Sequence, residues 1–275
     1  MIPAKFDYER AGSVDEAIAL LAEHGDEAKL LAGGHSLLPL MKLRLATPAV
    51  LVDIGRLRDL SYVRVEGGEI AVGALTRHRD LETSDVLLSD APLLAFTASL
   101  VGDPQVRHRG TLGGSLVHGD PASDLPAAIL AMGARMVIAG AGGARREVGA
   151  ADFFTGFLET AVGPDELLVE VRFPRAAGKG WSYQKFNRRA QDWAIVGAAY
   201  QEGGGVGLVN MASKPVRAAG VEEALASGAS AEDAAARADD GLDPPADLNA
   251  SPEYRRHLAR VLTRRALEEA ATRAG

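Results

Sequence analysis

Two stretches of this chain combine glycine pairs and hydroxyl residues with few bulky side chains. The first is Leu31-Ala32-Gly33-Gly34-His35-Ser36, and the second runs from Arg109 through Thr111-Leu112-Gly113-Gly114-Ser115 to Asp124. Glycine lets backbone N–H groups approach a ligand closely and tolerates positive φ. A single Gly-Gly pair is an ordinary turn signal, but two such stretches, each beside an apolar run, predict two sides of one diphosphate cradle built from amide dipoles.

Neither glycine stretch matches a phosphate motif of well-known spacing. The chain has no G-x-x-x-x-G-K-[ST], and no G-x-G-x-x-G with a downstream acidic residue in a βαβ unit. Their absence argues against ATP hydrolysis and against a Rossmann dinucleotide site. We expect glycine at positions 113 and 114 because a Cβ there would occupy the path of a phosphate.

Charge and cysteine content exclude several function classes. A net charge of -7, from 30 basic and 37 acidic residues, gives no basic footprint for nucleic acid. The chain has no cysteine, which excludes disulfides, thiolate zinc sites and cysteine-ligated iron–sulfur clusters. A redox centre must then be organic or belong to a partner. No apolar run approaches the roughly 18 residues of a membrane span, so we expect a cytoplasmic protein without such a span.

Periodicity and turn signals predict a mixed α/β N-terminal unit followed by an α+β C-terminal unit. Residues 102–124 read as one long loop, which is typical of a functional segment, and Thr76 reads as a helix cap. A Pro, Gly, Ala and Lys-rich stretch near 174–180 suggests a domain boundary. The last helix is expected to open at Ser251-Pro252, with a serine cap and proline in the first helical position.

Several long motifs resemble those of one protein family. They are Ala32-Gly33-Gly34-His35-Ser36-Leu37-Leu38-Pro39 with Met41-Lys42, then Asp103-Pro104-Gln105-Val106-Arg107 leading into Thr111-Leu112-Gly113-Gly114-Ser115, and Asp120-Pro121-Ala122-Ser123-Asp124. The chain resembles, over nearly its whole length, the FAD-binding medium subunit of bacterial molybdenum hydroxylases, the carbon monoxide dehydrogenase and xanthine dehydrogenase family. The resemblance implies an α+β fold class: a two-subdomain FAD-binding fold of the vanillyl-alcohol-oxidase (PCMH) type, then an α+β C-terminal domain with an antiparallel sheet and helices. The implied domains are 1–176, with subdomains of about 1–55 and 56–176, and 177–275.

The resemblance also implies a function and partners. Substrate would be hydroxylated at molybdenum on a molybdopterin-containing large subunit. Electrons would cross two [2Fe–2S] clusters on a small subunit, and FAD on this chain would pass them to an external acceptor. The complex would be a heterotrimer. The absence of cysteine in this chain agrees with that division of labour.

The family motifs assign expected site residues to this chain. By resemblance, Lys185 lies near flavin N1 and O2, where positive charge stabilises the reduced ring, and Trp193 lies against the flavin. These two are the expected catalytic residues. The expected FAD-binding residues are Ala32, Gly33, Gly34, His35, Ser36, Thr111, Leu112, Gly113, Gly114, Ser115, Asp124, Leu168 and Lys185.

The residues alone leave alternatives open. Asp124 fits a helix N-cap as well as a cofactor contact, a lysine on a half-exposed strand is usually solvated, and Trp193 could belong to a core. His35, His108 and His118 could in principle bind zinc, but no H-E-x-x-H spacing exists, and no metal site is expected. The alternative functions are a nucleotide-binding regulatory or assembly subunit and a stand-alone FAD-dependent oxidoreductase.

Overall fold

The computed structural model describes residues 1–274, and its first subdomain is built on a small parallel sheet. The strand order is β1-β3-β2. The first helix begins where Ser13 Oγ accepts a hydrogen bond from Glu16 N at 3.1 Å. The second strand ends at Leu31, so the first glycine stretch starts at the carboxyl end of a parallel strand. The elements are β1 (Asp7–Arg10), α1 (Val14–His24), β2 (Ala28–Leu31), α2 (Leu37–Lys42) and β3 (Val50–Asp53).

The second subdomain is a five-stranded antiparallel sheet covered by helices. The strand order is β4-β5-β10-β6-β7, and a separate hairpin pairs β8 with β9. Apolar residues of the sheet and helices form the largest core of the chain. The elements are β4 (Val63–Glu66), β5 (Glu69–Gly73), α3 (His78–Glu82), α4 (Asp85–Asp90), α5 (Pro92–Ser99), α6 (Pro104–Arg109), α7 (Leu112–His118), α8 (Asp124–Ala131), β6 (Arg135–Ala139), β7 (Arg145–Gly149), α9 (Ala150–Phe153), β8 (Phe154–Gly156), β9 (Glu159–Thr160) and β10 (Leu167–Pro174).

Two local expectations about this subdomain are wrong. Residues 102–124 are not one loop, because α6 and α7 lie within them. Each short helix has a side-chain cap: Asp103 Oδ1 accepts from Val106 N at 2.9 Å, and Thr111 Oγ1 accepts from Gly114 N at 3.2 Å. Thr76 caps no helix. Its hydroxyl instead exchanges hydrogen bonds with the backbone of Tyr62, which ties it to the start of the sheet.

The C-terminal unit is a four-stranded antiparallel sheet in the order β11-β12-β13-β14, covered by helices. The last helix opens as expected, with Ser251 Oγ accepting from Tyr254 N at 3.3 Å and Pro252 in the first helical position. Within residues 1–274, no helix is both long and apolar enough to cross a bilayer. The elements are β11 (Trp181–Phe186), β12 (Val196–Gln201), β13 (Val206–Val209), β14 (Val216–Arg217), α10 (Ala219–Ala226), α11 (Ala231–Ala235) and α12 (Pro252–Arg273).

Helix α8 joins the C-terminal sheet to the rest of the chain. An added Cβ on Gly207 of β13 would lie 2.0 Å from the carbonyl oxygen of Ala127, so the strand backbone rests directly on the helix. Only glycine allows an approach this close. This contact brings β11, and Lys185 upon it, over the first turn of α8, where Asp124 lies.

Candidate functional site

A cleft of about 1120 Å³ lies where the two N-terminal subdomains and the C-terminal sheet meet. Both glycine stretches line it, and so do residues of β10, β11 and the loop after β11. Of the expected site residues, the cleft is lined by Ala32, Gly33, Gly34, His35, Ser36, Thr111, Gly113, Gly114, Ser115, Asp124, Leu168, Lys185 and Trp193.

The two glycine stretches contact each other directly. A Cβ on Gly33 would lie 2.3 Å from the carbonyl oxygen of Arg109 and 2.9 Å from Gly110 Cα. A Cβ on Gly110 itself would lie 2.7 Å from both Cδ2 and Nε2 of His78. The backbone N–H of His78 also donates to the Gly110 carbonyl at 3.0 Å. The stretches are therefore held as the two adjoining walls of one cleft.

The first glycine stretch presents unused backbone donors. In the described part of the chain, no group accepts a hydrogen bond from the N–H of Gly33, Gly34, His35 or Ser36. Gly34 has φ +77°, which other residues rarely adopt. Successive free amides at a bend form the kind of concave site that binds anions. This arrangement agrees with the expected amide cradle.

The second glycine stretch departs from the expected amide cradle. The N–H of Leu112 donates to Thr76 O at 2.9 Å, that of Gly113 to Ala74 O at 2.8 Å, and that of Ser115 to Thr111 O at 3.1 Å. The Gly114 N–H is likewise bonded, to the Thr111 cap. These amides hold α7 in place, and polar groups on this wall are chiefly hydroxyls.

Two details at this wall differ from expectation. Leu112 does not line the cleft, because its side chain is fully buried in the core. Gly113 is required for a different reason from the one expected. A Cβ there would lie 2.7 Å from Ala74 Cβ and 2.8 Å from Ala74 O, which is packing inside the protein and not the path of a phosphate.

A buried hydrogen-bonded triad positions Lys185 on the cleft. Its Nζ lies 2.8 Å from Asp124 Oδ2 and donates to the Leu100 carbonyl at 3.1 Å. Tyr183, two residues along the same strand, donates its hydroxyl to Asp124 Oδ1 at 2.5 Å. The side chains of Lys185 and Asp124 are each 7% exposed. The alternative that Lys185 is an ordinary solvated lysine on a half-exposed strand is therefore wrong.

Burial governs the protonation of this triad. It raises the pKa of Asp124, against the opposing effects of Lys185 and then Tyr183. Burial, followed by the adjacent Asp124 carboxylate, raises the pKa of Tyr183 well above its ordinary value. Tyr183 therefore stays protonated and acts as a hydrogen-bond donor. Asp124 is not itself the cap of α8, because Ser123 occupies that position.

The two apolar residues expected beside the flavin differ in burial. Leu168 of β10 is 3% exposed and belongs to the main core. Trp193 is 57% exposed, so it does not belong to a core. Its ring is available to a molecule in the cleft.

Sequence reasoning missed His78, which also lines the cleft. Burial, then the nearby His35 and Arg107, lowers its pKa to about 4. A lone histidine at the start of a short helix carries no distinguishing pattern, so no signal in the sequence pointed to it. In the described residues, no group of three His, Asp or Glu side chains could hold a metal ion.

Comparison with known proteins gives consistent matches over the chain. Residues 4–176 match the FAD binding domain in molybdopterin dehydrogenase, and residues 181–270 match the CO dehydrogenase flavoprotein C-terminal domain. The carbon monoxide dehydrogenase medium chain of Hydrogenophaga pseudoflava is 41% identical over 283 residues, which cover 98% of each chain. That of Afipia carboxidovorans is 40% identical, covering 100% of this chain and 99% of the relative.

A solved structure agrees with these sequence matches. The carbon monoxide dehydrogenase from Hydrogenophaga pseudoflava that lacks the Mo-pyranopterin moiety of the molybdenum cofactor contains a chain that superposes with a TM-score of 0.95. That superposition has 41% identity and covers 100% of both chains. The similarity therefore extends over both the N-terminal and the C-terminal parts of the chain.

The fold and the cleft define a flavin-dinucleotide-binding oxidoreductase subunit. The chain belongs to the FAD-binding medium subunits of the carbon monoxide dehydrogenase-like molybdenum hydroxylases. FAD is its cofactor, and the expected fold class is confirmed.

Proposed function

We propose that this chain holds FAD in the cleft between its two glycine stretches, as the electron-transfer subunit of a molybdenum hydroxylase complex. When bound, FAD would supply the redox chemistry that takes electrons from an iron–sulfur subunit and gives them to an external acceptor. The proposal includes a molybdopterin-containing large subunit, a [2Fe–2S] small subunit and a cytoplasmic complex. It also takes 1–176 as the FAD-binding domain, with subdomains of about 1–55 and 56–176, and 177–275 as the C-terminal domain.

The observation that carries this proposal is the direct contact between the two glycine stretches. Gly33 touches the backbone of Arg109 and Gly110, and the free amides of residues 33–36 lie beside that contact. Free N–H donors and the hydroxyls of Ser36 and Ser115 suit an anionic diphosphate, which accepts hydrogen bonds and donates none. The donor set of the cleft therefore fits the cofactor.

The remaining site residues supply charge and shape. Lys185 brings a positive charge to the cleft, held in place by Asp124 and the Leu100 carbonyl. Such a charge favours the electron-rich form of a bound flavin. Because the Asp124 carboxylate lies beside the Lys185 ammonium, the electric field that the two groups exert on the cleft is that of an ion pair held in one orientation. Leu168 and Trp193 supply apolar surface for the ring system.

Flavin binding and reduction potential test the proposal together. Deflavinated protein should recover FAD and absorb near 450 nm, as flavins generally do. Lys185→Met should make the reduction potential of the bound FAD more negative by about 30 mV or more, the equivalent of about 1.4 kcal/mol for two electrons. Lys179→Met removes an exposed lysine away from the cleft and serves as the matched control.

Other outcomes separate this proposal from its alternatives. A folded protein indifferent to FAD would contradict it. Unchanged electron transfer in the assembled complex after substitution of Lys185 and Trp193 would favour a regulatory or assembly subunit. Turnover of an organic substrate by the isolated chain, without molybdenum, would favour a stand-alone oxidoreductase.

A further inference from the structure

His78 occupies the junction of the two cleft walls. It is the first residue of α3, is 4% exposed, and packs its ring against Gly110. Gly110 in turn packs against Gly33 of the first glycine stretch. His78 also lines the same cleft as residues 33–36, whose amides are free.

The hydrogen bonding of the ring indicates which nitrogen carries its proton. Nδ1 of His78 is enclosed by protein and has no hydrogen-bond partner among the described residues. No hydrogen bond joins Nε2 to another residue within 1–274 either. With its lowered pKa, the ring is neutral at pH 7 and carries one proton. Buried N–H groups without partners are rarer than under-used acceptors, so the proton belongs on Nε2 and the enclosed Nδ1 keeps its lone pair.

We propose that His78 is a further FAD-binding residue, whose Nε2–H donates to an oxygen of the cofactor diphosphate at the junction of the two glycine walls. The inference rests on the proposed placement of the diphosphate there. The ring has a donor with no acceptor among residues 1–274, and the Arg107 guanidinium, which is paired with Glu82, lies near it. A neutral donor in this position complements the neutral amides of residues 33–36.

Two variants with side chains of similar length test whether the Nε2–H donor of His78 contributes to binding. His78→Gln keeps an N–H donor near the position of Nε2, whereas His78→Met fills similar space without one. We expect His78→Met to weaken binding of both FAD and ADP to the deflavinated protein by roughly tenfold or more, as for loss of a hydrogen bond to a charged group. His78→Gln should stay within about threefold of the parent. His108→Met, at an exposed residue that does not line the cleft, should change neither affinity.

Nuclear magnetic resonance of ¹⁵N-histidine-labelled protein gives a readout that needs no variant. The His78 ring should show the Nε2–H tautomer without ligand, and the Nε2 proton should move downfield when ADP is added. Equal ADP affinity for folded His78→Met and the parent, or a proton found on Nδ1, would overturn the inference. If the parent itself does not bind FAD, the proposed function fails instead, so the two failures are distinguishable.

Discussion

Replacing Gly33 with alanine tests whether direct contact between the two glycine stretches builds the site. The added Cβ would lie 2.3 Å from Arg109 O and 2.9 Å from both Arg109 C and Gly110 Cα. Since Cβ atoms keep at least 3.0 Å from other atoms, the two walls must separate by at least 0.7 Å. All three opposing atoms are backbone, so no flexible side chain can move aside.

The expected cost has a stability part and a binding part. Overpacking of this kind destabilises by about 1 to 3 kcal/mol, which corresponds to a fall in Tm of about 2 to 12 °C for a domain of this size. Separation of the walls also misplaces the free amides of residues 33–36 relative to the opposite wall. We therefore expect FAD affinity to fall by at least roughly tenfold, or about 1.4 kcal/mol. Differential scanning fluorimetry of the deflavinated protein and titration with FAD measure the two parts separately.

Gly68→Ala is the matched control for this experiment. Gly68 lies in the turn between β4 and β5, its φ is not positive, and an added Cβ meets no atom of the described chain within 4 Å. It should leave Tm and FAD affinity unchanged. If Gly33→Ala behaves like Gly68→Ala in both measurements, the contact between the walls does not determine the geometry of the site and the reasoning is wrong.

Three further predictions concern residues around the cleft. Asp124→Asn leaves Lys185 buried without its carboxylate and should lower the free energy of unfolding, measured in urea, by about 3 kcal/mol. This value is at the low end of the usual range because burial already disfavours the ionised form of Asp124. Gly113→Ala should lower Tm through its contact with Ala74 while the folded fraction keeps its FAD affinity; loss of binding without loss of Tm would contradict this. Since the folded pKa of His78 is lowered to about 4, its contribution to stability is present above its unfolded pKa of about 6.5 and is lost as pH falls towards 4. The parent should therefore lose about 2 kcal/mol more than His78→Gln between pH 7.5 and 5, and equal losses would contradict the buried neutral ring.

The convergence of the two glycine stretches on one cleft could be predicted from the sequence, because glycine-rich bends with few bulky side chains can be recognised directly from their residue types. The helices inside residues 102–124 could not. Each has six or seven residues, which is below the length at which a helix is stable alone. They form because Asp103 and Thr111 cap them. In α7, the first two N–H groups also donate to the backbone carbonyls of residues 76 and 74. Caps and backbone contacts of this kind leave no periodic pattern in the amino-acid sequence.

The pairing of Lys185 with Asp124 also lay beyond local reasoning. Each residue could be assigned a place near the cofactor, but the bond between them depends on the packing of the C-terminal sheet on α8. That packing is set by glycines such as Gly207, whose importance appears only when the opposing carbonyl of Ala127 is known. Similarly, His78 gains its role from its position against Gly110 and from no motif of its own.

The two glycine pairs have different physical functions despite their similar sequences. In the first, Gly33 allows backbone contact across the cleft. Gly34 adopts positive φ beside N–H groups whose hydrogen bonds no group in residues 1–274 accepts. In the second, Gly113 lets α7 pack against Ala74, and its amide is already bonded to protein. Substitutions in the first pair should therefore affect cofactor binding directly, whereas substitution of Gly113 should act through stability. Two glycine pairs of similar sequence therefore need not contribute equally to cofactor binding. What distinguishes them is which backbone N–H groups of each wall are already hydrogen-bonded to protein.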